Sequence, residues 1–243
     1  GSRFLDWLDF EEDGSYTVDE DKVINYVAEL AAKYNTYRTD RKFKSTNRGE
    51  ITVEAGEGIY GWWIDDDGMA RLVTDMIEAG VSDEEDALFY HDPYSSFVYE
   101  GDPDSWTAES DIGSTYLELD LTAQHMWYYE KGKMVWETDV VSGKPTATRN
   151  TPGGVYKLWY KERNARLKDS NADGSKWDTI VAYWNNISMN GIGIHDATWQ
   201  PYFGGDLYKW NGSHGCINVS LDAAKYVYEN VPMNTPVVAY WSD

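Results

Sequence analysis

The sequence predicts two domains of different class, an α+β domain over residues 1–112 and a mainly-β domain over 113–243. Three observations predict this. Amphipathic helical stripes of full length occur in the first half, whereas the second is dominated by short alternating or β-branched runs divided by Gly and Pro turns. The charge is also split unevenly: residues 1–112 carry 28 acidic against 9 basic side chains, and 113–243 carry 14 against 12. With 42% hydrophobic residues, 12 Trp and 19 Tyr in 243 positions, there is ample material for a core.

In the first half, "EDKVINYVAELAAKY" (20–34) places Val23, Ile24, Val27, Leu30, Ala31 and Tyr34 on one helical face. "MARLVTDMIEAG" repeats the pattern with Met69, Leu72, Val73, Met76 and Ile77, and Gly80 supplies the C-terminal stop. The Asp65-Asp66-Asp67 run suits the start of that helix, where the helix dipole favours negative charge. Between the helices, "FKSTNRGEITVEAGEGIYGWWID" reads as strands joined by turns, with Trp62 and Trp63 as core aromatics. Residues 82–86 and 91–111 read as exposed connecting chain, which places the boundary near Ile112.

In the second half, "TYLELDL" alternates Leu117, Leu119 and Leu121 against Tyr116, Glu118 and Asp120, the pattern of a half-buried strand. "MWYYEKGKMVWETDVVSG" predicts a hairpin turning at Lys131-Gly132-Lys133, and "TPGGVYKLWY" a strand after a turn. Residues 161–177 are polar throughout and read as a long excursion from the sheet. "GIGIH" predicts a strand with Ile192 and Ile194 on one face and Gly193 and His195 on the other. "SLDAAKYVYENV" reads as a helix capped by Ser220, and "TPVVAYW" as a closing strand.

The net charge of −21 argues against nucleic-acid and anionic-membrane partners. No stretch approaches the 18 or more apolar residues of a membrane span. Gly1-Ser2 reads as an expression scar, so an N-terminal anchor removed from before it is the expected route to a membrane. Cys216 is the only cysteine, which excludes an intramolecular disulfide framework. His91 and His125 read as structural or exposed.

Cys216 lies in "GSHGCINVS" (212–220). Nucleophilic cysteine chemistry needs a thiol that can become thiolate, a base, and donors for an oxyanion. The amides of Gly215 and Cys216 are candidate oxyanion donors, and His195 and His214 compete as base. In a regular strand, side chains two residues apart stand roughly 6.5 to 7 Å from one another, too far for His214 to hydrogen-bond the thiol. His195 is therefore favoured as base, with His214 for orientation or oxyanion stabilisation. If the strand stays extended, Asp196 faces away from His195, and a backbone carbonyl is the better holder of the imidazole.

His195 followed at a distance by Ser213-His214-Gly215-Cys216-Ile217-Asn218 resembles the signature of the L,D-transpeptidases of the YkuD type. The resemblance extends over about 113–243, including "VVSGK" (140–144) and "TPGG" (151–154). It implies a β-sandwich-like catalytic domain and formation of 3→3 peptidoglycan cross-links, through a cysteine acyl-enzyme, with release of D-Ala from a tetrapeptide stem. It further implies Cys216 as nucleophile, His195 as base, His214 and Ser213 completing the site, and the Gly215 and Cys216 amides as oxyanion donors. Asn218, Trp199, Trp177, Tyr183 and Gly193 are implied to bind substrate, and the 161–184 excursion to serve as a lid. Where many relatives have a small residue after the first His, this chain has Asp196. Residues in "KYNT", "FKSTNRGEITV" and "IYGWWID" resemble the domain, assigned to peptidoglycan binding, that precedes the catalytic one in some Gram-positive relatives.

The resemblance implies donor and acceptor stem peptides as partners, carbapenems or other β-lactams as inhibitors, no metal or organic cofactor, and an extracytoplasmic, cell-wall-facing location. The alternatives are an L,D-carboxypeptidase that passes the same acyl group to water, and a non-catalytic wall-binding protein. A zinc site on His195, His214 and Cys216 is a further, less favoured reading.

Overall fold

A computed structural model describes residues 6–80, 89–90, 111–170 and 176–242. In chain order the elements are β1 (Leu8–Phe10), β2 (Tyr16–Val18), α1 (Glu20–Tyr34), β3 (Arg41–Ser45), β4 (Gly49–Val53), β5 (Trp63–Ile64), α2 (Asp66–Glu78) and β6 (Phe89–Tyr90). They continue with β7 (Tyr116–Asp120), β8 (His125–Glu130), β9 (Lys133–Asp139), β10 (Gly154–Lys157), β11 (Tyr160–Ser170), β12 (Lys176–Asn186), β13 (Gly193–Asp196), α3 (Leu207–Asn211), β14 (Ile217–Val219), α4 (Leu221–Asn230) and β15 (Pro236–Tyr240). His91, the 82–86 run and the linker up to residue 110 lie outside the described residues.

The chain forms two compact units, residues 1–37 with 61–103, and 38–60 with 104–243. In the first, α1 and α2 bury Val27, Ala31 and Met69 around Ile64 of β5. Their caps follow local chemistry. The Asp19 carboxylate accepts from the Lys22 amide at 3.2 Å, and the Asp65 carboxylate from the Gly68 amide at 3.0 Å. The Trp62 indole donates to the Tyr34 carbonyl at 2.7 Å, satisfying an orphan acceptor at the end of α1.

The second unit contains a five-stranded sheet, in the order β10-β15-β7-β8-β9, and a four-stranded sheet, β11-β12-β13-β14. Leu117, Leu119, Met126, Val237 and Ala239 of the first share one core with Tyr183, Ile194, Ile217 and Val219 of the second and Ala223, Ala224 and Val227 of α4. Ser220 caps α4 by accepting from the Ala223 amide at 3.2 Å. The β8–β9 hairpin turns at Lys131 and Gly132, with φ of 50° and 76°, the positive pair that a tight hairpin of matching twist requires.

Two expectations are corrected. Residues 38–60 pack with the second unit instead of staying with the first. The physical reason is charge pairing: Arg41 forks onto Asp111 at 3.1 and 3.0 Å, Arg48 Nε meets Asp120 at 2.7 Å, and the Thr46 amide and hydroxyl donate to Glu118 at 2.8 and 2.6 Å. Glu118 and Asp120 on the "polar" face of β7 are thereby buried as fully as its leucines. Second, the described residues of the 161–177 excursion are strand, because β11 and β12 pair antiparallel from Tyr160↔Asn186 to Ser170↔Lys176.

Candidate active site

The site is set by strand register. β13 and β14 pair in parallel, with Ile194 opposite Ile217 and His195 opposite Asn218, while β12 pairs with β13 so that Trp184 lies opposite His195. Opposed residues point to the same side of a sheet, as do residues two apart in an extended strand. His195, Asn218 and Trp184 therefore share one face, and Cys216, which precedes β14 by one residue, opens to the same pocket. The pocket has a volume of about 700 Å³, well within the range of small-molecule sites. His195, Cys216, Asn218, Ser213, His214, Trp184 and Trp199 line it, with Arg166, Lys168 and Asp178 contributed by the β11–β12 hairpin.

His195 is buried, and its Nδ1 lies 2.9 Å from the Asp196 carbonyl oxygen. Nδ1–H donates to that carbonyl, which makes Nε2 the basic nitrogen. The Asp196 carboxylate points elsewhere and accepts from the Tyr183 amide at 2.8 Å. Burial holds the imidazole below its usual titration range, partly offset by the Asp196 carbonyl and carboxylate. Burial also pushes the Cys216 thiol up to about 11, against a lowering hydrogen bond from the Gly193 backbone. The thiol donates weakly to the Gly191 carbonyl at 3.6 Å. At neutral pH the resting pair is thus neutral thiol and neutral imidazole.

The loop carrying Cys216 is held by backbone chemistry. Gly215 has φ of +126°, a region that other residues enter only under strain. Ser213 Oγ donates to the Cys216 carbonyl at 2.6 Å and accepts from the Gly215 amide at 2.9 Å. Thr151 Oγ1 donates to the Gly215 carbonyl at 2.7 Å and accepts from the Gly143 amide at 2.8 Å. Arg149 donates to the Gly212 and Ser213 carbonyls at 2.8 and 3.2 Å. The sequence signals Arg149 and Thr151 only indirectly: Arg149 lies between "VVSGK" and "TPGG", and Thr151 is the first residue of the latter.

The residues singled out from sequence do not all meet. Gly193 lies directly beneath the Trp184 indole, since a Cβ there would come within 2.6 Å of the ring. Trp184 and Trp199 flank the His195 ring at centroid distances of 5.7 and 6.1 Å. Tyr183 is corrected: it is buried in the core on the opposite face of β12, against Tyr228, and its neighbour Trp184 takes the pocket position. The Trp177 side chain lies outside the described residues. The Gly215 amide is already committed to Ser213, which leaves the Cys216 amide as the remaining candidate from that pair. Asn218 Oδ1 is buried in the pocket wall without a hydrogen-bond partner. His125, expected without partners, lies 2.7 Å from Asp139 and 3.0 Å from Glu137.

Residues 114–238 match the family model of the YkuD L,D-transpeptidase catalytic domain, and residues 6–84 that of a peptidoglycan binding domain. The chain is similar to the crystal structure of an L,D-transpeptidase from Enterococcus faecium carrying a cysteine-to-serine mutation, with 40% identity, a TM-score of 0.81, and coverage of 97% of this chain and 88% of that one. It is equally similar to a structure of the avibactam carbamoyl enzyme of Ldtfm, with 41% identity, a TM-score of 0.82, and coverage of 98% and 87%. L,D-transpeptidase 1 of Mycobacterium tuberculosis is 27% identical over 134 residues, 52% of this chain. The matched segments span only 33% to 51% of the curated relatives' length.

Proposed function

Because the chain belongs to the L,D-transpeptidase catalytic-domain family and carries a peptidoglycan-binding domain ahead of it, we propose that it joins peptidoglycan stems by 3→3 cross-links through an acyl-enzyme on Cys216. The observation that carries the reading is the pocket onto which the Cys216 thiol, one residue before β14, and a carbonyl-oriented imidazole from the paired strand β13 both open.

The mechanism follows from the resting state. His195 Nε2 takes the Cys216 proton as sulfur attacks the carbonyl of the third, L-configured residue of a donor tetrapeptide. A neutral pair avoids a standing charge in a desolvated pocket, so charge develops only as the bond forms. The Cys216 amide and His214 stabilise the oxyanion. The C–N bond to the terminal D-Ala breaks, the imidazolium protonates its departing amine, and a thioester remains. The side-chain amine of a second stem then attacks the thioester, gives up its proton through His195, and restores the thiol. Asn218 Oδ1, buried and unpaired, suits a substrate N–H. That a relative is described as an avibactam carbamoyl enzyme supports an inhibitor-modifiable nucleophile in this fold, and acylation by carbapenems is the corresponding expectation for Cys216. The same wall chemistry places the protein facing the cell wall; among the described residues no helix is long and apolar enough to cross a membrane.

Intact-protein mass spectrometry with a carbapenem, followed by peptide mapping, tests the acyl-enzyme. A stoichiometric adduct on Cys216 that forms far more slowly in His195→Ala is expected. Product analysis of a tetrapeptide, with and without an acceptor amine, tests the transfer step. A tripeptide acid as sole product in the presence of the amine would replace cross-linking by hydrolysis.

A further inference from the structure

Between β13 and β14 the chain runs through a loop that ends in α3, and this loop divides its aromatics sharply. Leu207 and Tyr208 are buried, packed with Val141 and flanked by Phe203. Trp199, Tyr202 and Trp210 are 51%, 51% and 61% exposed. The exposure is not slackness, because the loop is pinned at several points. The Gly204 amide donates to the Val140 carbonyl at 2.9 Å. Gln200 and Asn211 bond reciprocally, Nε2 to the Asn211 carbonyl at 3.0 Å and Nδ2 to Gln200 Oε1 at 2.9 Å. That pairing brings together the two limbs that carry Trp199 and Trp210. Gln200, Asn211 and Trp199 also line the pocket, so the aromatic surface continues from its mouth.

We propose that Trp199, Tyr202 and Trp210 form a ledge that receives the glycan strand to which the donor stem is attached. This rests on the transpeptidase reading of the pocket. Large exposed aromatics on an anchored loop mark an interaction surface. A sugar ring suits this one: it offers a C–H face to an aromatic plane and polar groups at its edge, where Gln200 and Asn211 stand. The only charged residues between Trp199 and Trp210, Asp206 and Lys209, pair with each other at 2.6 Å, so the surface offers little to an anionic lipid headgroup. The geometry of the substrate agrees. At 3.3 to 3.6 Å per extended residue, the carbonyl of the third stem residue lies about 10 Å from the sugar. A stem held at Cys216 therefore sets its sugar about 10 Å from the thiol.

The test compares three substrates in wild type, Trp210→Ala, Tyr202→Ala and the double variant, none of which alters a residue placed in the catalytic pocket. A carbapenem reads acylation, a free tetrapeptide reads stem recognition, and a disaccharide tetrapeptide adds the sugar. The double variant is expected to keep the first two rates and lose about tenfold in kcat/KM on the third, mainly through KM, for two stacking contacts of ordinary strength. Trp210→Phe should recover most of its share. Equal rates of wild type and double variant on the disaccharide substrate would overturn the ledge. Failure of wild type to turn over either peptide would instead remove the transpeptidase reading. Calorimetric titration with a stem-free glycan oligomer would then decide the ledge alone: binding weakened in the double variant supports it, and unchanged binding overturns it.

Discussion

Two groups of polar side chains in the second unit are treated in opposite ways. On the outer face of β7, Glu118 accepts from the Thr46 amide and hydroxyl and from the Tyr240 hydroxyl, and Asp120 accepts from Arg48 and from the amides of Thr122 and Ala123. In the pocket, Asn218 Oδ1 has no partner among the described residues, and Cys216 has only weak contacts to the Gly191 carbonyl and the Gly193 backbone. Completed buried networks fix a fold, whereas buried polar atoms left open are a standing cost that a substrate can relieve. Variants of the pocket should therefore spare stability and destroy activity, and variants of the β3–β4 hairpin should do the reverse.

The sharpest contrast is Cys216→Ala. On the proposed mechanism, turnover of a stem peptide should fall by at least about 10³-fold, the loss that follows removal of a nucleophile. The urea midpoint should hold or rise slightly, because the thiol's contacts to the Gly191 carbonyl and the Gly193 backbone are weak. Arg41→Ala breaks the comparison from the other side. It removes both guanidinium hydrogen bonds from the carboxylate of Asp111, which is 1% exposed, and removal of one partner of such a buried pair costs about 3–5 kcal/mol. Urea unfolding should show the loss, while the carbapenem acylation rate per folded molecule stays near wild type. A wild-type midpoint would mean that water or a neighbour had taken over the guanidinium's role.

How much of this division was legible in the sequence differs by region. The helices, their Asp and Ser caps, the Lys131-Gly132 turn and the Cys216 motif are local chemistry and could be read directly. The fate of Glu118 and Asp120 could not, because alternation in β7 tells which residues share a face but not what covers it. The covering residues, Arg48 and Thr46, lie about 70 positions upstream, at separations of |i−j| = 72. The β11 strand was hidden for a related reason. "KERNARLKDS" turns few apolar side chains inward, Ala165 being buried and Leu167 partly so, while Arg166 and Lys168 face the pocket. Tyr183 and Trp184 exchange roles through parity alone: a shift of one residue moves a strand side chain to the other face, and the Trp184↔His195 register fixes which one reaches the site.

Thr151→Val probes the boundary between the two behaviours, since its hydroxyl completes a buried network beside the loop that carries Cys216. The substitution keeps the shape but leaves the Gly143 amide and the Gly215 carbonyl unpaired. Stability should fall by about 1–3 kcal/mol, the cost of stranding buried backbone groups. Carbapenem acylation should slow as well, by about tenfold, because the Gly215 backbone sets the position of Cys216. A variant that lost stability without slowing acylation would show that Ser213 and Arg149 position the loop by themselves.

The smallest effect concerns protons. The folded state holds the Cys216 thiol up to about 11, above the ordinary value of 9.0, so the fold favours the protonated form. Between those values the unfolded chain has already released this proton while the folded chain keeps it, and stability falls as pH rises across the window. His195 works in the other direction: burial depresses its titration, the unfolded chain binds a proton first, and stability falls as pH drops below the ordinary value of 6.5. Urea midpoints of wild type and Cys216→Ala followed from pH 8 to pH 11 isolate the thiol. The two curves should run parallel up to about pH 9 and then diverge, wild type losing more. Curves that stay parallel to pH 11 would mean that the thiol ionises as readily in the folded protein as in the unfolded chain, and the pocket would then resemble the rest of the surface more than the sealed face of β7.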